Sequence, residues 1–142
     1  MKKVSKYRIR INKEDHDKAH RLALRSARSN HHTYDRYYVG YLGEMVAAMY
    51  LGILWEDPEY AQRDLIDGFG TKYQVKTTRE GRDKKRLWCD VNGNGFDRYI
   101  FVILDEKDRF GDIECDSLRE VAEANSHEFQ RRPALLRYCD GS

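Results

Sequence analysis

Residues 64–76 read Asp64-Leu-Ile-Asp67-Gly-Phe-Gly-Thr-Lys-Tyr-Gln74-Val75-Lys76: an acid, a glycine-rich turn, then Gln-x-Lys. Turn residues between two β-forming runs predict a short hairpin. Successive side chains on a strand point to opposite faces, so Gln74 and Lys76 share one face and Val75 takes the other. Loop length decides which acid joins them. A three-residue loop, Gly68-Phe69-Gly70, sets Asp67 opposite Thr71 and Asp64 opposite Gln74. Such loops often carry a left-handed residue, and Gly70 suits that role. A four-residue loop would put Asp67 on the Gln74 face instead. The glycine spacing favours Asp64, with Asp67 as the alternative acid.

A carboxylate, an amide oxygen and an ammonium gathered this way can hold a divalent metal beside a phosphate. Mg²⁺ takes oxygen ligands, and such a cation polarises a phosphoryl oxygen and lowers the pKa of bound water. Asp64, the Gln74 side-chain oxygen and the Val75 carbonyl are the expected protein ligands. Lys76 would orient the attacking water or stabilise charge developing on phosphate. A second element, Gly40-Tyr-Leu-Gly43-Glu44-Met-Val-Ala-Ala-Met-Tyr-Leu-Gly52, adds a carboxylate. Glu44 is the one charged residue between Val39 and Trp55. On a helix it shares its face with Gly40, Tyr41, Ala47, Ala48 and Leu51, so burial and a partner are expected. A metal, a metal-bound water or Lys76 would serve.

Gly-x-x-Gly-Glu-x-x-x-Ala-x-x-Leu-Gly, followed by Asp-Leu, a short hairpin and Gln-Val-Lys-Thr-Thr, resembles the PD-(D/E)XK nuclease superfamily over residues 40–78, and more loosely over the Asp97–Leu104 run. The resemblance implies an αβββαβ restriction-endonuclease-like core and Mg²⁺-dependent hydrolysis of DNA phosphodiesters, with Mn²⁺ able to substitute. It implies active-site positions at Glu44, Asp64, Gln74 and Lys76. Gln74 stands where Glu is more frequent in that superfamily, which removes one negative charge from the metal. Directly after the Gln-x-Lys strand, Thr77, Thr78, Arg79, Arg82, Lys84, Lys85 and Arg86 are the expected grip on flanking phosphates. Two alternatives stand on the same fold: a nucleic-acid-binding module with weak or no catalysis, and a protein-interaction domain. Cutting both strands of a duplex often needs two active sites, which makes a homodimer an expected arrangement.

These groups need elements to position them. The chain has 142 residues, the size of one domain. It divides into a basic helical extension (1–35), a core (36–125) and a tail (126–142). Asn12 is a good N-cap, acids follow it, and Ala19, Leu22, Ala23 and Ala27 recur at helical spacing, predicting a helix over about 13–29. Ser29–Tyr38 reads as a loop, with Tyr34, Tyr37, Tyr38 and Tyr41 lining a substrate groove or packing internally. A second helix is expected over about 38–51, stopped by Gly52. Strands are expected at 63–67, 72–78, 87–91, 99–104 and 111–115, and residues 7–11 read as a short strand or an extended arm. Asp116 or Ser117 would cap a last helix over about 118–125. The order predicts an α/β or α+β fold, a small mixed central sheet flanked by helices.

Net charge is +2, but residues 1–29 carry ten Lys and Arg against three acids. That asymmetry suits an anionic partner such as DNA. No apolar run approaches a membrane span of roughly 20 residues, and no apolar stretch follows the basic start. A cytoplasmic protein, encoded by a cell, a virus or a mobile element, with no membrane association, is expected. Cys89, Cys115 and Cys139 form no Cys-x-x-Cys pair, so neither a zinc knuckle nor a disulfide framework is indicated. His16 and His20 have the spacing of a zinc helix but lack a third ligand. No phosphate-binding loop or dinucleotide fingerprint is present, so no organic cofactor is expected.

Overall fold

The computed structural model describes residues 7–29, 33–56, 65–80 and 96–118. Five strands form one mixed sheet: β1 (Tyr7–Arg10), β2 (Leu65–Ile66), β3 (Lys72–Arg79), β4 (Arg98–Leu104) and β5 (Phe110–Leu118), in the order β1-β5-β4-β3-β2. β3 and β4 run parallel, and every other neighbouring pair is antiparallel. Two helices flank the sheet, α1 (Lys13–Ser29) and α2 (Tyr34–Leu51). α2 lies on the strands and α1 packs against α2. Neither helix is long and apolar enough to cross a membrane.

The helix boundaries have local causes. The Asn12 side chain accepts from the Asp15 amide at 2.9 Å, and Glu14 and Asp15 face the positive end of α1. α2 starts earlier than the sequence suggested. Thr33 caps it by accepting from the Arg36 amide, so residues 34–38 are its first turns rather than a loop. The tyrosines that read as loop-like are held there by α1: His16 Nδ1 meets the Tyr38 hydroxyl at 2.6 Å, and His20 Nδ1 meets that of Tyr34. Tyr34 and Tyr38 stack at 5.6 Å. These two imidazoles therefore join α1 to α2. At the far end Gly52 takes φ +70 and its amide reaches the Ala48 and Met49 carbonyls, the expected left-handed stop.

β4 is the central strand its apolar sequence predicts. Ile100, Val102 and Leu104 join the core beneath α2, with Leu42, Met45 and Val46 of that helix and Leu22 of α1. Tyr99 and Phe101 alternate with them on the other face and are just as fully buried. A strand buried on both faces reads as a continuous apolar run, as strands with a parallel neighbour do. β5 is longer than expected and runs through Asp116 and Ser117. Those residues pair with Ile100 and Tyr99, so they extend the sheet and do not cap a helix. The strand expected at 87–91 and the helix body beyond 118 lie outside the described residues.

Candidate functional site: the β2–β3 hairpin and the faces of β3

The hairpin has the three-residue loop. Leu65 pairs with Tyr73 and Ile66 with Lys72, and the Asp67 amide reaches the Thr71 carbonyl at 3.1 Å. Gly70 adopts φ +83, a conformation that a Cβ would strain, and its amide closes the turn on the Asp67 carbonyl. Asp67 thus stands opposite Thr71, as the shorter loop requires. Its Oδ1 accepts from the amides of Phe69 (2.8 Å) and Thr71 (3.0 Å), and Oδ2 accepts from the Tyr73 hydroxyl at 2.8 Å. The Tyr73 bond, helped by the two amides, holds this carboxyl below the usual aspartate range. Asp67, the alternative acid, is therefore a turn-fixing group on the Tyr73 face. Asp64 lies outside the described residues.

Alternation along β3 sorts the remaining candidates. Tyr73 and Val75 point into the core beneath α2. Thr77 does too: a Cβ on Gly43 of α2 would fall 1.7 Å from the Thr77 Oγ1. Gly43 is the residue whose missing side chain lets helix and strand touch. Gln74, Lys76 and Thr78 consequently share the opposite face, beside Tyr99, Phe101 and Ile103 of β4, and all three are half-buried. Gln74 and Lys76 are together as expected. Glu44 is half-buried, also as expected, but its helix packs on the other face of the sheet.

Two of the expected phosphate ligands have other work. Thr77 is turned into the contact with Gly43. Arg79 is spanned by two carboxylates: its Nε and Nη2 donate to both oxygens of Asp108 (2.9 and 2.8 Å), and Nη1 donates to Asp35 at 2.7 Å. Those bonds, led by Asp108, raise its pKa further and tie the end of β3 to the β4–β5 turn and the start of α2. Asp108 itself sits at φ +56 in that turn, with only 9% exposure. Nothing in the spacing of Arg79, Asp35 and Asp108 marks them as partners, because only the packing of α2 and the β4–β5 turn at the end of β3 brings them together. Thr78 remains on the Gln74–Lys76 face. Arg82, Lys84, Lys85 and Arg86 lie outside the described residues.

Among the described residues no group of three or more His, Cys, Asp and Glu side chains could hold a metal ion. On the Gln74–Lys76 face of β3 the side-chain oxygens are those of the Gln74 amide and the Thr78 hydroxyl, while both Asp67 oxygens are engaged by the turn and Tyr73. The described donors alone are too few for a divalent cation, which needs at least one free carboxylate beside Gln74. Two crosslinks fix the start of the strand nonetheless. The Lys72 amide donates to Asp97 Oδ2 at 3.0 Å, and the Asp97 amide donates to the Lys72 carbonyl at 2.9 Å. No family model, curated protein or solved structure matches the chain.

Proposed function

We propose that this chain is a metal-dependent deoxyribonuclease on a restriction-endonuclease-like core, with its reacting groups on the face of β3 turned away from α2. The observation that carries the reading is the hairpin register, together with the shared face of Gln74 and Lys76. By the sequence expectation for a three-residue loop, Asp64 would stand opposite Gln74 and supply the missing carboxylate. Asp64, the Gln74 amide oxygen and the Val75 carbonyl would hold Mg²⁺ or Mn²⁺; when bound, the ion supplies Lewis acidity and a more acidic water. Lys76, half-buried on the face it shares with Gln74, would place its ammonium on the attacking water or the phosphate. Glu44 enters the set only if its carboxylate reaches that face, which a Glu44→Gln variant reports directly.

The test is cleavage of duplex, single-stranded, nicked and branched DNA with Mg²⁺ or Mn²⁺. Lys76→Ala is expected to slow cutting by about 100-fold or more while the fold persists. Full cutting by that variant removes the role given to Lys76, and no cutting of any substrate by the unaltered protein defeats the nuclease reading. A second reading, a DNA-binding module without catalysis, is favoured by the absence of a metal-holding acid group among the described residues. It predicts salt-sensitive DNA binding that the metal does not convert into cleavage.

A further inference from the structure

Phe69 stands at the tip of the β2–β3 turn with 97% of its surface exposed. The backbone beneath it is fixed. Asp67 Oδ1 accepts from the Phe69 amide at 2.8 Å and from the Thr71 amide at 3.0 Å, while the Tyr73 hydroxyl holds Oδ2 at 2.8 Å. Just beyond the turn, the Lys72 amide and carbonyl both bond to Asp97. A Cβ at Gly68 or Gly70 would meet no atom within 4 Å, so the space flanking the phenylalanine is open. An apolar ring held out on a fixed turn binds with little ordering cost.

On the α2 side the tip borders an open cleft of about 730 Å³, whose other rings are Tyr7, Tyr50 and Tyr73. Its polar side chains are already engaged: Tyr50 and Arg98 donate to Asp116, Tyr73 donates to Asp67, and Arg8 donates to Asp112. What remains for a ligand is aromatic surface, which favours stacking over hydrogen-bond readout. On the opposite face, Lys72 continues the Gln74–Lys76 row by one alternation toward the tip. It is exposed and makes no ion pair among the described residues. A single ring between two glycines is too small for a stable protein interface, which needs roughly 800 Å² from each partner, whereas one nucleobase covers it. An unpaired base stacks on such a ring, and a nearby ammonium takes the adjoining phosphate.

We propose that Phe69 is the stacking platform for an unpaired base of a DNA substrate and that Lys72 holds a neighbouring phosphate of the same strand, so that the protein takes DNA with a single-stranded stretch. The proposal rests on the DNA reading above but not on cleavage, and it names the class of DNA that the Gln74–Lys76 face receives.

The test uses the full chain with a chelator, so that nothing is cut, and a single-stranded oligonucleotide of about 16 nucleotides carrying 5-iodouracil in place of thymine. Long-wavelength ultraviolet light joins that base to a ring stacked on it. Trypsin then releases Asp64–Lys72, in which Phe69 is the one aromatic residue, and the crosslink should fall on that peptide. Phe69→Leu keeps an apolar side chain and should leave the melting temperature unchanged. It should lose the crosslink and weaken binding about tenfold without changing the salt dependence, and Phe69→Trp should restore both. Lys72→Gln should lower the slope of log affinity against log salt by about 0.7. A blunt duplex of the same length should bind more weakly. The proposal is overturned by a crosslink confined to other peptides, by full-strength binding of Phe69→Leu, by an unchanged salt slope in Lys72→Gln, by equal binding of the duplex, or by no binding at all. A protein that cuts DNA with Mg²⁺ yet gives no crosslink at Phe69 refutes the platform alone. One that gives the crosslink and never cuts keeps the platform and loses the nuclease reading.

Discussion

The two faces of β3 divide the labour of one strand. On the α2 side, Tyr73, Val75, Thr77 and Arg79 are all structural: two core contacts, a helix contact without room for a methyl group, and a guanidinium held by two carboxylates. On the other side, Gln74, Lys76 and Thr78 stand in a row, half-buried and polar. The contrast shows how eight residues carry both fold and candidate chemistry: period-two alternation keeps the two sets apart. It also divides the segment Thr77-Thr78-Arg79, which read as one phosphate-gripping unit, into a helix contact, a site-face residue and an ion-pair anchor.

That division can be broken from the structural side. Gly43→Ala should have the largest effect, because its Cβ would overlap the Thr77 side chain. A loss of about 3 kcal/mol in urea unfolding is expected, with part of it recovered when Thr77→Ala is added. If Gly43→Ala is neutral, α2 does not rest on Thr77 and the assignment of faces fails. Arg79→Ala should cost about 2 kcal/mol, since it leaves Asp108 in the β4–β5 turn without its charged partner. The same variant should leave affinity for short duplex DNA nearly unchanged, whereas a phosphate contact would lower affinity and flatten its salt dependence.

Smaller effects sharpen the hairpin end. Tyr73→Phe removes the hydroxyl that holds Asp67 and should cost about 1 kcal/mol. The pH dependence follows from the direction of the shift. The folded Asp67 carboxyl titrates below its unfolded value, so its contribution is full above the ordinary aspartate range and is lost as pH falls through the lowered folded value. Asp105 behaves alike: burial opposes ionisation there, but the amides of Phe110 and Arg109 and the Arg109 side chain outweigh it. Unfolding measured from pH 5 downward should show stability falling, with a shallower slope in Asp67→Asn.

Legibility in the sequence followed the range of the interaction. The Asn12 cap, the Gly52 stop and the Gly70 turn are each decided within a few residues, and the sequence located all three. The start of α2 was misplaced because its tyrosines are polar enough to suit a loop. Partners on α1, fourteen and twenty-two residues away in sequence, make them an inner helix face. The length of β5 was missed for a similar reason. Asp116 resembles a cap by type, yet its oxygens are taken by Arg98 and Tyr50 across the sheet.

The sequence alone determined that a tight hairpin precedes a strand in which Gln74 and Lys76 share a face, and that Glu44 is the one charged residue in the apolar run from Val39 to Trp55. These follow from residue spacing and turn chemistry, which are local. Only the tertiary structure decided which face of β3 meets α2, and hence that the Glu44 helix and the Gln74–Lys76 row flank the sheet from opposite sides. That outcome is set by the packing of Tyr73, Val75 and Thr77 beneath α2, closest at Gly43 against Thr77, residues 34 positions apart. A helical period of 3.6 and a strand period of two fix each element's own faces, while the contact between them is set by side-chain volume at their crossing.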